Sequence, residues 1–338
     1  MSTAAPESPL VILGIETSCD ETAAALVADG SAVLSSVISS QTDLHARFGG
    51  VVPEIASRAH VDLLPAAVAQ ALVEAGIEGN QVDAVAATVG PGLASALLVG
   101  ISVAKSLALV WEVPFVGVDH MEAHLYACFL AEPDIDFPLV ALLVSGGHTL
   151  LVEMRGHGSY RVLGTTIDDA VGEAFDKVAR HLGLGYPGGP AIDRLSREGD
   201  PDAIAFPRAM VREGYDFSFS GLKTAVARYV ETHPDARVAD VAASFQNAAV
   251  DVLVTKARRA AAETGARALC VGGGVGANSR LRQRIAEVCE EDGLQAVLPT
   301  PDLCTDNAAM VAAAAWWRLR ADGPTPLDVG AQPNLRLA

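Results

Sequence analysis

Leu10-Val-Ile-Leu-Gly-Ile15 runs into the polar stretch Glu16-Thr-Ser-Cys-Asp20-Glu21-Thr22 and then into a second apolar run, residues 23–27. Short apolar runs bounded by turn-prone residues read as strands, so these three pieces predict a β-hairpin with a polar tip. The arrangement recurs about 130 residues later, an interval long enough to mark a duplicated half rather than a short repeat. The second copy reads Pro138-Leu-Val-Ala-Leu-Leu-Val144, then Ser145-Gly-Gly-His148-Thr149, then Leu150-Leu-Val-Glu-Met154. One hairpin therefore opens each half, with hydroxyl, glycine or acidic residues at its tip.

Between the hairpins, residues 56–75 predict a helix ended by Gly76, residues 82–89 a strand, and Gly90-Pro-Gly92 a turn. Residues 94–110 predict a buried apolar helix and 115–118 a strand. After the second hairpin, helices are predicted over 168–182, 190–199, 238–263, 279–290 and 306–320, with a strand over 268–271 and a glycine turn over 272–276. Strands alternating with helices suit a mostly parallel sheet. The expected class is α/β: a duplicated two-lobe architecture of mixed sheets flanked by helices, as actin-like and sugar-kinase folds are built. The lobes are expected at 9–128, with helix 306–320 packing back on it, and at 129–305; residues 321–338 are expected to be a loose tail.

With 338 residues, 50% apolar and 19% charged, the chain has length for two domains and enough apolar content for buried cores, which excludes a disordered chain. Its 24 basic and 41 acidic side chains give a net charge of −17, so no global positive field draws in polyanions. Nucleic-acid binding would need a local basic stripe or a more basic partner. Lys256, Arg258, Arg259, Arg280, Arg282 and Arg284 are the candidates for such a stripe, against the alternative of solvated helix faces. Five cysteines without a C-x-x-C pair predict free thiols in a reducing cytoplasm. Residues 1–9 carry no Lys or Arg, unlike a signal or transit peptide. Residues 94–110 fall short of the ~20 that a spanning helix needs, so no membrane association is expected.

The chemistry-bearing pattern is His120-Met-Glu-Ala-His124, directly after a predicted strand. Imidazoles at i and i+4 share one helical face and can chelate a metal; the alternative is two histidines at a helix start. Asp306 is a candidate third ligand, though Asp is also a good N-cap. A zinc protease of the H-E-x-x-H type is disfavoured, because at about 100° per residue Glu122 points about 200° away from His120. Gly272, Gly274 and Ala277 formally satisfy G-x-G-x-x-A, but the next strand ends in Pro299-Thr300 without the acidic residue a dinucleotide fold wants. The better reading is a tight turn that lets backbone approach a nucleotide, with Asn278 beside it. The Ser145–Gly147 amides suit an anion, and Asp176 and Asp193 flank a glycine loop from which they can hold ribose hydroxyls. No G-x-x-x-x-G-K-[ST] occurs, which excludes P-loop chemistry.

Seven motifs in order resemble one family: Gly14-Ile-Glu-Thr-Ser-Cys-Asp-Glu-Thr22, His120-Met-Glu-Ala-His124, Leu143-Val-Ser-Gly-Gly-His-Thr149, Gly172-Glu-Ala-Phe-Asp-Lys177, Tyr186-Pro-Gly-Gly-Pro190, Phe217-Ser-Phe-Ser-Gly-Leu-Lys-Thr224 and Cys304-Thr-Asp-Asn307. The set is similar to the TsaD/YgjD family of tRNA N6-adenosine threonylcarbamoyltransferases, whose older label is O-sialoglycoprotein endopeptidase. The resemblance implies an actin-like fold and transfer of threonylcarbamoyl from threonylcarbamoyl-AMP to N6 of adenosine 37 in tRNAs reading codons that start with adenine. It implies a divalent metal, usually iron (Fe2+), held by His120, His124 and Asp306. Implied substrate contacts are Leu143, Val144, Ser145, Gly146, Gly147, Asp176, Gly189, Asp193 and Asn278, around an adenine nucleotide (threonylcarbamoyl-AMP or ATP). Implied partners are tRNA, a TsaB-like paralogue and a TsaE-like ATPase. No residue is assigned as general base.

The chain departs from the family pattern at Asp119, where Asn is expected, at Gly276 and at Val171. The first of these bears on the surroundings of the metal. The imidazoles and Asp306 are expected to meet across an interlobe cleft. A sugar or acetate kinase of the same fold and a non-enzymatic scaffold are the rival classes, and the His120, His124 and Asp306 set argues against both.

Overall fold

The polar stretch 16–22 and the Ser-Gly-Gly-His tip each join two antiparallel strands in the computed structural model, which describes residues 9–337; the expectation for residues 1–8 lies outside them. In chain order the elements are β1 (Val11–Glu16), β2 (Glu21–Ala28), β3 (Ala32–Ser40), α1 (Thr42–Ala46), α2 (Pro53–Ala75), β4 (Ala84–Gly90), α3 (Ala94–Trp111), β5 (Phe115–Asp119) and α4 (His120–Ala131). They continue with β6 (Leu139–Val144), β7 (Thr149–Gly156), β8 (Ser159–Thr165), α5 (Val171–His181), α6 (Gly188–Ser196), α7 (Ser220–Thr232) and α8 (Val238–Thr264). The last are β9 (Ala268–Gly272), α9 (Ser279–Asp292), β10 (Gln295–Val297), α10 (Pro301–Cys304) and α11 (Ala308–Asp322).

The strands form two five-stranded sheets, ordered β3-β2-β1-β4-β5 and β8-β7-β6-β9-β10. The two orders are one pattern used twice, which establishes the duplication. Each sheet is mixed: β1, β2 and β3 pair antiparallel while β4 and β5 join in parallel, and the second sheet repeats this with β6 to β10. Central strands β1, β4, β6 and β9 are buried along their whole length, which is why they read as unbroken apolar runs. The edge strands β3 and β8 escape the sequence reading because one flank is solvated and Ser, Tyr, Arg and Thr interrupt their apolar pattern.

The chain forms two compact units. One comprises the described residues up to Gln41, Val51–Leu130 and Asp306–Arg336; the other includes Thr42–Gly50 and Ala131–Thr305. The first core is aliphatic, with Leu13, Ile15, Leu26, Leu64, Val85 and Leu97 packed together. The second adds Phe175, Phe217, Phe219 and Phe245 to its aliphatic layers.

Two expectations change. Residues 94–111 form one helix, but only its Ala96, Leu97, Gly100, Ile101, Ala104 and Ala108 side is buried, while Leu98, Leu109 and Val110 point outward. By length and composition alone it is the one described helix apolar enough to cross a membrane. The tail beyond Gly323 is fastened rather than loose: Thr325 N–H donates to Phe115 O (2.8 Å) and Gln332 N–H to Val89 O (2.7 Å).

Helix α11 lies directly on β1. Its residues Ala308 to Ala315 are all fully buried, and a Cβ added at Gly14 would sit 2.2 Å from the Ala308 carbonyl oxygen. Gly14→Ala is therefore expected to destabilise the chain by about 1–3 kcal/mol, read as a lower denaturation midpoint, because backbone has to move.

Candidate metal centre

Strand β5 passes into α4 without a loop because Asp119 caps the helix: its Oδ1 accepts the N–H groups of Met121 (2.7 Å) and Glu122 (3.1 Å). An Asn oxygen at this position makes the same cap, so the family departure at residue 119 leaves helix initiation intact. His120 and His124 then lie one turn apart, ring centroids 4.7 Å from each other at 78°. Glu122 faces elsewhere and forms an ion pair with Arg318, 2.8 Å from its Nε, as the helical spacing requires.

Asp306 arrives just ahead of α11. The N-cap there is Asn307, whose Oδ1 accepts from Met310 N–H (2.9 Å), so the Asp306 carboxylate is not used in capping. Its Oδ1 lies 3.2 Å from His124 Nε2 and 3.5 Å from His120 Nε2. One ligand atom from each of the three residues lies within 4.8 Å of the others. All three belong to the first unit, which corrects the expectation that they meet across a cleft between lobes. Both nitrogens of His124 are buried without a directed hydrogen bond. Its Nε2 has the Asp306 carboxylate beside it, and two imidazoles with one carboxylate are a donor set suited to a divalent transition metal.

The sequence reading missed Glu16. This fully buried carboxylate at the end of β1 accepts from Thr88 Oγ1 (2.5 Å) and Ser18 N–H (2.5 Å), and its Oε2 lies 3.1 Å from His120 Nδ1. A carboxylate only accepts, so a proton is assigned to Nδ1, which leaves Nε2, on the Asp306 side, as the nitrogen a metal would take. Burial pulls the His120 pKa down, but Asp306 and Glu16 outweigh it and hold it well above the usual histidine value. Burial likewise pushes Asp306 up, and the two histidines reverse that, leaving it far below the carboxylate range. Glu16 is lowered in the same way by His120. Partial burial, reinforced by the nearby Asp306 and Asp20, pushes the half-buried Glu21 up to about 9.

The expected substrate contacts all lie in the second unit and are joined by short links. Leu143 and Val144 are buried at the end of β6, and Ser145 N–H donates to His148 O (2.8 Å) to close the tip. A Cβ at Gly273 would lie 2.4 Å from Val144 O and one at Gly172 2.5 Å from Ser145 O, so β9 and α5 approach the tip through glycines. At Gly146, Gly147 and Gly189 a Cβ would meet nothing within 4 Å, so these glycines leave backbone open rather than serve packing. Asp176 accepts from Gly188 N–H (2.7 Å), and Asp193 accepts from Ser279 Oγ (2.7 Å). Asn278 caps α9 through Leu281 N–H (3.0 Å) and donates to Gln246 Oε1 (2.8 Å), so both ends of its amide already have protein partners.

The six basic residues do not form the one free stripe expected: Arg258, Arg259 and Arg284 line a common pocket, but each has a partner within the chain. Lys256 is buried and donates to the carbonyls of Glu213, Gly214 and Asp216; Arg282 donates to Leu298 and Pro299 carbonyls. Arg258 pairs with Glu291 and Asp292, Arg284 with Glu287, Arg259 packs over Tyr215, and Arg280 donates to Asn247. Charges counted along the helices are consumed locally.

Comparison with known proteins agrees with the motif set. The family model described as "TsaD: tRNA N6-adenosine threonylcarbamoyltransferase" matches residues 32–313. The tRNA N6-adenosine threonylcarbamoyltransferase of Symbiobacterium thermophilum is 54% identical over 330 residues, covering 97% of each chain. That of Geobacter sp. is 53% identical over 328 residues, covering 96% of each. Among solved structures, HypF of T. kodakarensis superposes with a TM-score of 0.65 at 16% identity, over 93% of this chain and 49% of that one. Component A of the (R)-2-hydroxyglutaryl-CoA dehydratase of Acidaminococcus fermentans gives 0.56 at 12% identity, over 92% and 99%. These structural likenesses support the actin-like fold and nothing finer. With most of its length matched by the family model and more than half of its residues shared with a full-length relative, this chain belongs to the TsaD family, the tRNA N6-adenosine threonylcarbamoyltransferases.

Proposed function

We propose that the chain transfers a threonylcarbamoyl group from threonylcarbamoyl-AMP to N6 of adenosine 37 in tRNAs reading codons that start with adenine. The observation that carries this reading is the convergence of His120, His124 and Asp306 in a chain of this family. In the reaction, N6 forms a bond to the carbamoyl carbon, the bond from that carbon to the phosphate oxygen breaks, AMP leaves with the electron pair, and one amine proton is released. AMP is a good leaving group and the exocyclic amine a poor nucleophile, so positioning carries much of the work.

His120, His124 and Asp306 would hold one divalent ion, with iron as the family's usual choice. When bound, such an ion supplies Lewis acidity toward an oxygen of the threonylcarbamoyl unit. Glu16 holds His120 in the tautomer that such binding needs. The open Gly146–Gly147 backbone and Ser145 are assigned to the adenylate phosphate or developing oxyanion, with Asp176, Gly189, Asp193 and Asn278 toward the nucleoside. Asn278 serves there through the shape it gives the turn, since its amide is engaged.

Under the same reading the partners are tRNA, a TsaB-like paralogue and a TsaE-like ATPase. The outward Leu98, Leu109 and Val110 of α3 support a face covered by another protein. With the basic residues engaged internally, partners supply much of the attraction for tRNA. Five free cysteines, four of them buried, support a cytoplasmic setting.

Incubation with threonylcarbamoyl-AMP, unmodified tRNA and the partners, followed by mass detection of the modified nucleoside, tests the reading; ATP-dependent phosphorylation of a small acceptor instead would favour the kinase class. His124→Ala and Asp306→Ala are each expected to strip metal, as seen by elemental analysis, and to slow transfer roughly a thousandfold. Full activity in metal-free protein would refute this. Glu16→Gln is expected to weaken metal binding about 10–100-fold, measured by chelator competition, while the fold persists. Asp193→Ala is expected to raise KM for the adenylate about tenfold with metal content unchanged.

A further inference from the structure

The tail beyond Gly323 runs along the first unit as an anchored strap. Thr325 meets the open edge of β5: its N–H donates to Phe115 O (2.8 Å), and its Oγ1 accepts from Gly117 N–H (2.9 Å). Lys105 Nζ donates to the Val329 carbonyl, and Val329, Ala331 and Leu335 pack on the aliphatic core. The strap then reaches the end of β4. Pairing of β4 with β5 slips between Thr88 and Gly90, so Val89 has no partner on β5. Gln332 N–H takes its carbonyl at 2.7 Å, and Pro333 O accepts from Gly92 N–H at 3.2 Å. The fit leaves no slack, since a Cβ at Gly90 would lie 1.9 Å from Gln332 O.

From the segment thus held, two lines of contact run to one atom. Thr88, next to Val89, donates to Glu16 Oε2 (2.5 Å), which lies 3.1 Å from His120 Nδ1. Leu93, next to Gly92, donates its N–H to Ser18 O (2.8 Å), and Ser18 Oγ lies 3.3 Å from the same Nδ1. We propose that the C-terminal strap is a positioning element for the metal centre: by fixing residues 88–93 it sets Glu16 and Ser18, and through them the ring of His120. The inference rests on the metal-binding reading above. Gln332 holds β4 through its backbone, the N–H on Val89 O and the carbonyl against Gly90, so side-chain identity at this position does not carry the effect.

The test uses full-length protein stripped of metal and titrated with Co2+, following the visible absorption of the bound ion. Gln332→Pro removes the N–H, and Gly90→Ala pushes the strap away; each is expected to raise the Co2+ dissociation constant about tenfold or more and to alter the absorption band, as changes around metal ligands do. Gln332→Ala keeps the N–H and is expected to match the parent. Ile285→Ala, in the core of the other unit, controls for lost stability and is expected to leave Co2+ affinity unchanged. Equal affinity and band shape in folded Gln332→Pro or Gly90→Ala protein overturns the proposal, as does an equal loss in Ile285→Ala or in Gln332→Ala. Should Gln332→Pro not fold, Gly90→Ala decides. A parent chain that takes up no Co2+ would instead refute the metal-binding reading itself.

Discussion

No side chain fits at position 14. The backbone of α11 lies against β1 so closely that a single methyl there would overlap the Ala308 carbonyl, and the alanine run that follows keeps the contact tight. This approach returns the late part of the chain to the first sheet and sets residue 306 beside a helix that left the same sheet much earlier. The carboxylate that completes the donor set is placed by packing of small residues. Asn307 takes over the capping of α11 and leaves Asp306 turned toward the histidines.

Around that contact the site is layered. Two imidazoles and a carboxylate face one another; a buried carboxylate and a hydroxyl stand behind one imidazole; the end of β4 stands behind those. Apart from the partly exposed Asp306 these groups are buried, so an unpartnered polar atom among them would cost about 1–3 kcal/mol, and nearly every one finds a partner. His124 is the exception: among the described residues its Nδ1 has no hydrogen-bond partner, and its Nε2 has only the Asp306 carboxylate beside it, at 3.2 Å. In the second unit the design differs: glycines bring β9 and α5 against the hairpin tip, while other glycines at the tip leave the backbone bare.

Local periodicity and spacing were readable because they depend on neighbours in the chain. The paired hairpins, the helices and the His120–His124 face all follow from residue types a few positions apart. The edge strands β3 and β8 were not readable, since an edge has one solvated flank and its apolar signal is diluted. The basic stripe failed for a related reason. Sequence counts charges but not their partners, and Lys256, which reads as a surface cation, is buried with its ammonium on three carbonyls.

The duplicated α/β architecture, the candidate ligands and the family are legible in the linear chain, because strand runs, i,i+4 spacing and an ordered motif set are properties of neighbours in sequence. That Glu16 stands behind His120, that all three candidate ligand residues belong to one unit, and that the Pro-rich tail is fastened to it emerge only once the chain is folded. Those facts depend on strand order and on close backbone approach between segments far apart in the chain, and hydrogen bonds of that range leave no periodicity in the sequence.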